Sequence, residues 1–505
     1  MCKEDKYVIP MTFLRTKDPR PENAEYIVQY LEQIKLRDQY HIPYTCLMTY
    51  DAMRNSTITK LIKKDKNERT DIGIWLELCR EVVEKVNIQW RGLNDWEWTV
   101  EPGFLMAYTQ QEKERIIDCI MQEYFDLFAC YPKTVAAWLI DSYSMQYISE
   151  KYHPDAFVIC REQWAMDAYT LWGGPYYGGY YPSKNNMLCP AQSRQMQINT
   201  PVFRMYANDP IYCYYEHERL RFNDIDYHLF TQEPAWMCGQ NPTWVNWHYD
   251  YMFHSSQLGF HYTQLGQENG FPWTDELADA LKMQYSLADQ RKKTDGFQYI
   301  TFSEMGRQFR KRYETTPETC VYALNDWAAK GNRSVWFNNE RYRINVFSDK
   351  NRVWIRDLQL FDEDKRDVYL DEPCKDILGI YDNLPIVDGV QFSDKKTQGG
   401  LFFGNGRINC VNKNNGNTVI QLEVNGQIIE IYLQKQEIVI KALKEKSITL
   451  DFSFCEKCTQ IDQISENQIT YRHRSGMKYF LYVKKGFISN RHIINSYDGQ
   501  ITLAF

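Results

Sequence analysis

The sequence lacks several features that define whole classes of protein. None of its 505 residues falls in an apolar run long enough for a membrane-spanning helix, so no membrane span is expected. The formal net charge is −7 and no long basic run occurs, which argues against a nucleic-acid partner. Internal repeats and low-complexity tracts are also absent. What these absences leave is a globular chain, 44% hydrophobic and long enough for two to four domains.

The 14 cysteines form no disulfide framework. Most lie in apolar or mixed runs, as Cys46, Cys119 and Cys160 do, which is typical of reduced, buried thiols. We therefore expect a reducing compartment and favour the cytoplasm. The first residues show no apolar signal core, although Cys2 leaves open a chain trimmed at a signal or at a lipoprotein cysteine.

The nine histidines contain no His-x-His and no His-x-x-x-His pair. A three-ligand zinc site would have to be assembled from distant residues such as His41, Asp51 and His261. Because no spacing in the sequence calls for such a site, we expect neither a metal nor another cofactor.

Short apolar runs alternate with helical patterns over the first 312 residues. The predicted strands cover residues 7–14, 44–49, 71–76, 134–140, 156–160, 201–205, 259–265 and 297–302, and the clearest helices cover 24–40, 111–129 and 274–292. Repeated β-then-α units of this length indicate an α/β barrel. Residues 313–505 instead show short strands separated by turn signals, which predicts an all-β domain, a sandwich.

One strand end combines aromatic and acidic residues. Trp138-Leu139-Ile140-Asp141 closes a predicted strand and precedes a helical segment, so Asp141 would lie at the face where barrels carry their active sites. Residues 164–181 are rich in aromatics and glycines, and we expect this loop to line a cleft. Carboxylates beside aromatic faces are typical of sugar chemistry.

The first 310 residues resemble the glycoside hydrolase/polysaccharide deacetylase superfamily, and more closely a Bacteroides-type family of gut-bacterial proteins that join this barrel to a β domain. The resemblance rests on residues 70–77, 138–141, 169–174 and 266–270. It implies an incomplete (β/α)7 barrel. Family-57 glycoside hydrolases carry a Trp-Leu-Pro-Glu strand end whose Glu is the nucleophile, and by that analogy Asp141 takes the nucleophile position and Asp209 that of the acid. The deacetylase branch binds a metal through an aspartate and a His-x-x-x-His pair that is missing here.

Each candidate also has a structural interpretation. Asp141 and Asp51 could cap the helices that follow them, and Asp209 could serve only to form the Asn-Asp-Pro turn. Glu77 could pair with Arg80 or Arg91 instead of serving as a base. Nevertheless, the predicted catalytic residues are Asp141, Asp209 and Glu77.

The predicted binding residues divide into polar and aromatic groups. Arg161 and Asp167 could instead form a structural ion pair, Glu268 could merely order its turn, and the aromatic loop could pack on itself. The predicted substrate-binding residues are Asp51, Glu268, Arg161, Asp167, Trp75, Trp164, Tyr169, Trp172 and Tyr176, with Tyr177 as a further stacking candidate.

The sequence thus predicts a carbohydrate-active enzyme, a glycoside hydrolase with two carboxylates at the barrel mouth, acting on an oligosaccharide or polysaccharide. The alternatives are a metal-dependent deacetylase and a non-catalytic glycan-binding protein on the same barrel. The sugar, the linkage, the stereochemical outcome and the oligomeric state stay open.

Overall fold

The computed structural model describes residues 5–18, 26–166, 168–216, 229–255, 257, 259–394, 396–444, 447–455 and 459–505. The strands of the first part are β1 (Asp5–Leu14), β2 (Tyr44–Met48), β3 (Thr70–Trp75), β4 (Thr134–Ala136), β5 (Ala156–Cys160), β6 (Gln163–Met166), β7 (Tyr169–Leu171), β8 (Val202–Met205), β9 (Phe260–Leu265) and β10 (Gln298–Tyr299). The helices are α1 (Tyr26–Tyr40), α2 (Tyr50–Arg54), α3 (Ser56–Asp65), α4 (Arg80–Lys85), α5 (Val100–Gly103), α6 (Gln110–Phe128), α7 (Ser142–Tyr152), α8 (Met237–Gln240), α9 (Pro242–Phe253), α10 (Asp275–Asp295) and α11 (Phe302–Arg312). None of these helices is both long and apolar enough to cross a bilayer.

The parallel strands form a nearly closed barrel, which confirms the predicted fold class. Their order around the sheet is β10-β1-β2-β3-β4-β5-β8, and β9 pairs with β1. The first half of β1 pairs with β9 and the second half with β2, so β1 stands at the centre of the closure. Because all these strands run in one direction, their carboxyl ends meet at one mouth.

Between β8 and β9 the barrel is closed by side chains. The hydroxyl of Tyr262 on β9 accepts from the backbone N–H of Arg204 at 3.0 Å and donates to its carbonyl at 2.9 Å. One step along, the amide oxygen of Gln264 accepts from the N–H of Tyr206. These contacts take the place of ladder hydrogen bonds at this seam, which is where an incomplete barrel differs from a closed one.

Local sequence explains where two of these elements begin or end, and one of these bounds departs from prediction. Helix α6 begins at a capping box in which Thr109 and Glu112 satisfy each other's backbone N–H. Its buried aromatic residue is Tyr124, while the neighbouring Phe125 is 39% exposed. Strand β10 spans only two residues, against the predicted 297–302, because the Thr301 side chain caps α11.

The remaining strands build the predicted all-β domain. They are β11 (Thr319–Ala323), β12 (Arg333–Asn338), β13 (Tyr342–Ser348), β14 (Arg352–Leu360), β15 (Gly379–Tyr381), β16 (Leu384–Asp388), β17 (Gly400–Asn414), β18 (Asn417–Val424), β19 (Gln427–Leu433), β20 (Glu437–Ala442), β21 (Thr449–Ser453), β22 (Thr459–Ile464), β23 (Gln468–His473), β24 (Lys478–Lys485), β25 (Phe487–Ser489), β26 (Ile493–Asn495) and β27 (Gln500–Ala504). Apart from β15, these strands pair antiparallel with one another. The long β17 pairs with β14 at one end and β18 at the other, so it joins the two halves around one apolar core. The proposed boundary at residue 312 falls where α11 ends, and it stays a prediction.

A segment of the β domain, residues 361–383, reaches back onto the barrel. Its strand β15 pairs in parallel with β7, with Gly379 opposite Tyr169. The N–H of Cys374 donates to the carbonyl of Met106, and the carbonyl of Ile377 accepts from Val100. The aromatic loop is therefore covered by the second domain.

Candidate functional site

One buried arginine collects acidic side chains from several strand ends at the barrel mouth. Arg15, directly after β1, makes a two-pronged contact with Glu77 after β3, with N–O distances of 2.5 and 3.0 Å. Its Nη1 also lies 3.0 Å from Glu268 and 3.2 Å from Asp18. Burial would lower the pKa of Arg15, but Glu77 and Glu268 outweigh it and raise the pKa. We call Arg15, Asp18, Glu77 and Glu268 the Arg15 cluster.

The loop after β9 locks this cluster in place. The side-chain amide of Asn269 accepts from the N–H of Arg15 and donates to its carbonyl, both at 3.0 Å. Gly266 has φ +127°, and a Cβ there would lie 1.8 Å from the carbonyl oxygen of Met11. Only glycine permits this close crossing over β1, so the Gly266 to Gly270 motif brings Glu268 to Arg15.

Asp51 and three aromatic rings border the cluster. The carboxylate of Asp51 accepts from the N–H and hydroxyl of Thr16, at 2.5 and 2.6 Å, and so fixes the backbone next to Arg15. Trp75 is fully buried and stacks on Phe13, while Trp138 packs edge-on against both and is only partly buried. Trp138 is therefore the ring of this group that retains exposed surface.

Glu233, which no sequence pattern marked, interacts electrostatically with both Arg161 and Arg15. Its carboxylate accepts from the amide of Gln267 at 2.6 Å and from the indole N–H of Trp236 at 2.9 Å. Burial raises the pKa of Glu233 to about 7, against the opposing effects of these hydrogen bonds and of Arg161 and Arg15. This carboxyl group can therefore hold a proton near neutral pH, beside carboxylates that are paired with arginine.

Arg161 is itself held in an ion pair, with Glu216. Its Nη1 lies 2.9 Å from Glu216, and it also donates to the side chain of Asn208. Burial would lower the pKa of Arg161, but Glu216 raises it, so the guanidinium stays charged. The other half of the expected pair, Asp167, lies outside the described residues.

The oxygens of Asp141 are engaged by structural partners. One accepts from the ammonium of Lys113 at 2.9 Å and from the N–H of Ser144 at 3.0 Å, and the other from the Ser144 hydroxyl. Asp141 is thus the N-cap of α7. Its predicted strand also ends early, because β4 stops at Ala136.

Asp209 is likewise enclosed. It accepts from the N–H groups of Ile211 and Tyr212 and from the indoles of Trp244 and Trp327, all within 2.9 Å. Burial raises the pKa of Asp209 to about 6, although these donors oppose the shift. Asp141 and Asp209 share no hydrogen-bond partner with each other or with the Arg15 cluster among the described contacts, and their catalytic roles stay predictions.

The aromatic loop packs mainly against the β domain. Trp172 is fully buried and donates to Asp388 at 2.5 Å, and Tyr176 stacks on Trp336 with centroids 4.0 Å apart. Tyr169 packs edge-on against Phe104, and Tyr177 stacks on Tyr262. Trp164 is partly buried and packs edge-on against Trp172. Tyr169, Trp172, Tyr176 and Tyr177 are thus buried against protein, and their predicted role in substrate binding stays a prediction.

The residues at the mouth do not fit a metal centre. No group of three His, Cys, Asp or Glu suited to a metal occurs in the described part of the chain. His41 precedes β2 and Asp51 follows it, so they lie at opposite ends of that strand, and His261 bonds to the carbonyl of Met252. Both oxygens of Glu77 already face Arg15, whose charge stands where a cation would be needed.

The sequence held a signal for some of these residues and none for others. Arg15 ends the apolar run of β1 as a lone charge, and strand-end position alone could have selected it beside Asp51 and Glu77. Glu233 lies in an irregular segment before α8, where no periodicity marks it. Its burial and its partner Gln267 arise only from tertiary structure.

The chain is thus an incomplete (β/α) barrel with a buried acidic mouth, joined to an antiparallel β domain. It is similar to a protein of Parabacteroides distasonis provisionally assigned as a glycoside hydrolase/deacetylase, with a TM-score of 0.56 and 13% identity over 78% of this chain and 96% of that one. Proteins of Pseudomonas aeruginosa and Mycobacterium smegmatis, provisionally assigned as polysaccharide deacetylases, align with TM-scores of 0.39 and 0.35 at 10% identity, over 61% of this chain and 92% and 91% of theirs. No family model and no curated protein matches the chain. At these identities the first likeness shows the fold.

Proposed function

We propose that the chain is a glycoside hydrolase whose reaction centre lies at the Arg15 cluster and Glu233. The observation that carries the proposal is the meeting of three carboxylates on one buried arginine at the carboxyl ends of the barrel strands, beside a fourth carboxyl whose pKa is raised to about 7. Carboxyl groups with such divergent environments are what glycosidic bond cleavage requires.

In this proposal Glu233 is the proton donor. Its neutral form near pH 7 would protonate the glycosidic oxygen as the bond to the anomeric carbon breaks. Glu268, ion-paired with Arg15, would attack the anomeric carbon or activate a water molecule. A separation of about 5–5.5 Å between the two carboxyl groups gives retention, and about 6.5–9.5 Å gives inversion.

The other residues at the mouth would position these two. Glu77 and Asp18 hold the guanidinium of Arg15, and Asp51 holds the backbone beside it. The exposed surface of Trp138 would pack on a sugar ring. Asp141 and Asp209 are left out of the proposed reaction, because they share no hydrogen-bond partner with the Arg15 cluster among the described contacts, and their catalytic roles stay predictions.

The test is hydrolysis of a panel of aryl glycosides and oligosaccharides by wild type, E233Q and E268Q. We expect each variant to lose about 10²- to 10⁴-fold in kcat/KM, the usual contribution of general acid–base catalysis. E314Q is the matched control, since the side chain of Glu314 is 87% exposed. E233Q should regain activity on aryl glycosides with acidic leaving groups, because such groups need little protonation to leave. E268Q should not regain activity on these substrates.

Two further arms separate the alternatives. Release of acetate from acetylated glycans, abolished by a chelator, would replace the proposal with the deacetylase. Glycan binding in calorimetry without turnover of any substrate would replace it with a non-catalytic binding protein.

A further inference from the structure

Tyr206, next to the proposed reaction centre, has a strained backbone. It directly follows β8 and has φ +54°, a left-handed conformation that bulky residues rarely adopt. Its N–H donates to the side chain of Gln264, and its carbonyl accepts from the hydroxyl of Thr231 at 2.9 Å. Because contacts on both sides hold the conformation, the strain is built into the fold and fixes where the side chain points.

The hydroxyl of Tyr206 is buried and has no hydrogen-bond partner among the described residues. A buried hydroxyl without a partner costs free energy, so such a group calls for an explanation. Burial raises the pKa of Tyr206 well above its usual value, with Glu233 and Glu268 adding to the shift and Arg15 opposing it. The hydroxyl is therefore a neutral donor near both proposed catalytic carboxyls.

Other buried tyrosines in the described chain also lack a hydroxyl partner, but their surroundings differ. For Tyr471, in the core of the β domain, burial is the cause of the raised pKa. Tyr206 has an unpartnered hydroxyl close to the proposed catalytic carboxyls, and its backbone is held in a strained conformation. The hydroxyl and the backbone conformation are independent observations, and together they point to a ligand.

We propose that Tyr206 is a catalytic residue of the proposed hydrolase, and that its hydroxyl donates a hydrogen bond to an oxygen of the bound sugar between Glu233 and Glu268. The inference rests on the proposed function. A fixed donor in a site shielded from water stabilises charge that develops on that oxygen in the transition state, without first having to reorganise. The hydroxyl stays protonated throughout, so Glu233 remains the proton donor.

The test compares Y206F with Y180F on the best substrate of the panel. Tyr180 is a matched control because it is fully buried and its hydroxyl donates to the carbonyl of Met187 at 2.7 Å. We expect Y206F to lose about 10²-fold in both kcat and kcat/KM, with a Tm equal to or above that of wild type. Y180F should lose Tm and keep kcat.

The outcomes distinguish the two proposals. If wild type cleaves no substrate, the proposed function fails and this inference fails with it. If wild type is active and Y206F keeps its kcat, only the role of Tyr206 is overturned. A Tm of Y206F below that of wild type would show that the hydroxyl has a structural partner, and would equally overturn the inference.

Discussion

Two buried arginines organise acidic clusters in this molecule, one at the barrel mouth and one between the domains. Arg343 on β13 contacts Glu162 and, with both prongs, Asp357 at 2.7 and 2.9 Å. Like Arg15, it lies beside aromatic rings, with Trp172 and Trp336 about as close as Phe13 and Trp96 are to Arg15. By burial and geometry alone the two sites would look equivalent.

The surroundings of the carboxylates separate the two sites. Arg343 faces two carboxylates, whereas Arg15 faces three and has Glu233 nearby. At the domain contact Asp388 accepts from Trp172, Gln359 and two backbone N–H groups, which fill its oxygens. The Arg15 cluster and Glu233 carry more negative charge than Arg15 neutralises, and they lie beside the unpartnered hydroxyl of Tyr206. This arrangement does not stabilise the fold by itself and is better explained by a ligand.

The largest effect on activity should come from replacing one glutamate of each site by glutamine and comparing the two variants. E268Q should lower kcat/KM about 10²- to 10⁴-fold with little change in stability. E162Q, with the same change of atoms, should leave kcat/KM within about twofold and lower stability, because Arg343 loses one of its two charged partners. Steady-state kinetics and urea unfolding of both variants measure the contrast. Loss of activity in a stable E162Q chain would remove the distinction between the sites.

The next effect concerns stability alone. R343M should lower the free energy of unfolding by about 3–5 kcal/mol, because it removes the cation that contacts the buried carboxylates of both Glu162 and Asp357. R407M is the control: Arg407 and Glu423 pair on the surface, with side chains 60% and 41% exposed, and such pairs contribute about 1 kcal/mol or less. Urea midpoints followed by tryptophan fluorescence report both. Equal losses in the two variants would refute the clamping role of Arg343.

A third effect is the contribution of Glu233 to the pH dependence of the free energy of unfolding. Its pKa is raised from 4.5 to about 7 in the folded chain, so between these values the folded state binds a proton that the unfolded state has released. Stability must then fall as pH rises from about 4.5 through 7, by roughly 3 kcal/mol for this group. E233Q should lose that part of the slope and gain stability over wild type at pH 8.

Asp388 and Asp367 also have pKa values raised to about 7 by burial, so they add slopes of the same sign. The comparison of wild type with E233Q cancels them, since both chains keep these groups. D388N is the matched variant at the domain contact. If E233Q and wild type had parallel stability curves between pH 5 and 8, Glu233 would not be a protonated acid.

The barrel was predictable because its signals are local. Each strand is an apolar run before a polar turn, and α6 carries its own capping box, so the β-then-α order could be read from the chain. The position of Glu77, Asp51 and Glu268 at the barrel mouth was predictable for the same reason, since a strand end is a position in sequence as well as in space.

The pairing of side chains was not predictable, because it depends on partners far apart in the chain. Glu77 pairs with Arg15, 62 positions away, and not with Arg80 or Arg91 nearby. Trp172 lies in a Gly-rich loop that resembles an open binding loop, but its partner Asp388 belongs to the other domain, 216 positions later. No periodicity carries such information.

The smallest effect tests the two kinds of tryptophan. W172F removes one of the donors to Asp388, and since Gln359, Val390 and Gln391 still donate, the loss should be about 1 kcal/mol in stability, with KM unchanged. W138F should be as stable as wild type and should have a higher KM, because Trp138 keeps exposed surface at the mouth. If W172F raised KM instead, in a chain as stable as wild type, Trp172 would reach the substrate. The domain contact would then have to open during the reaction.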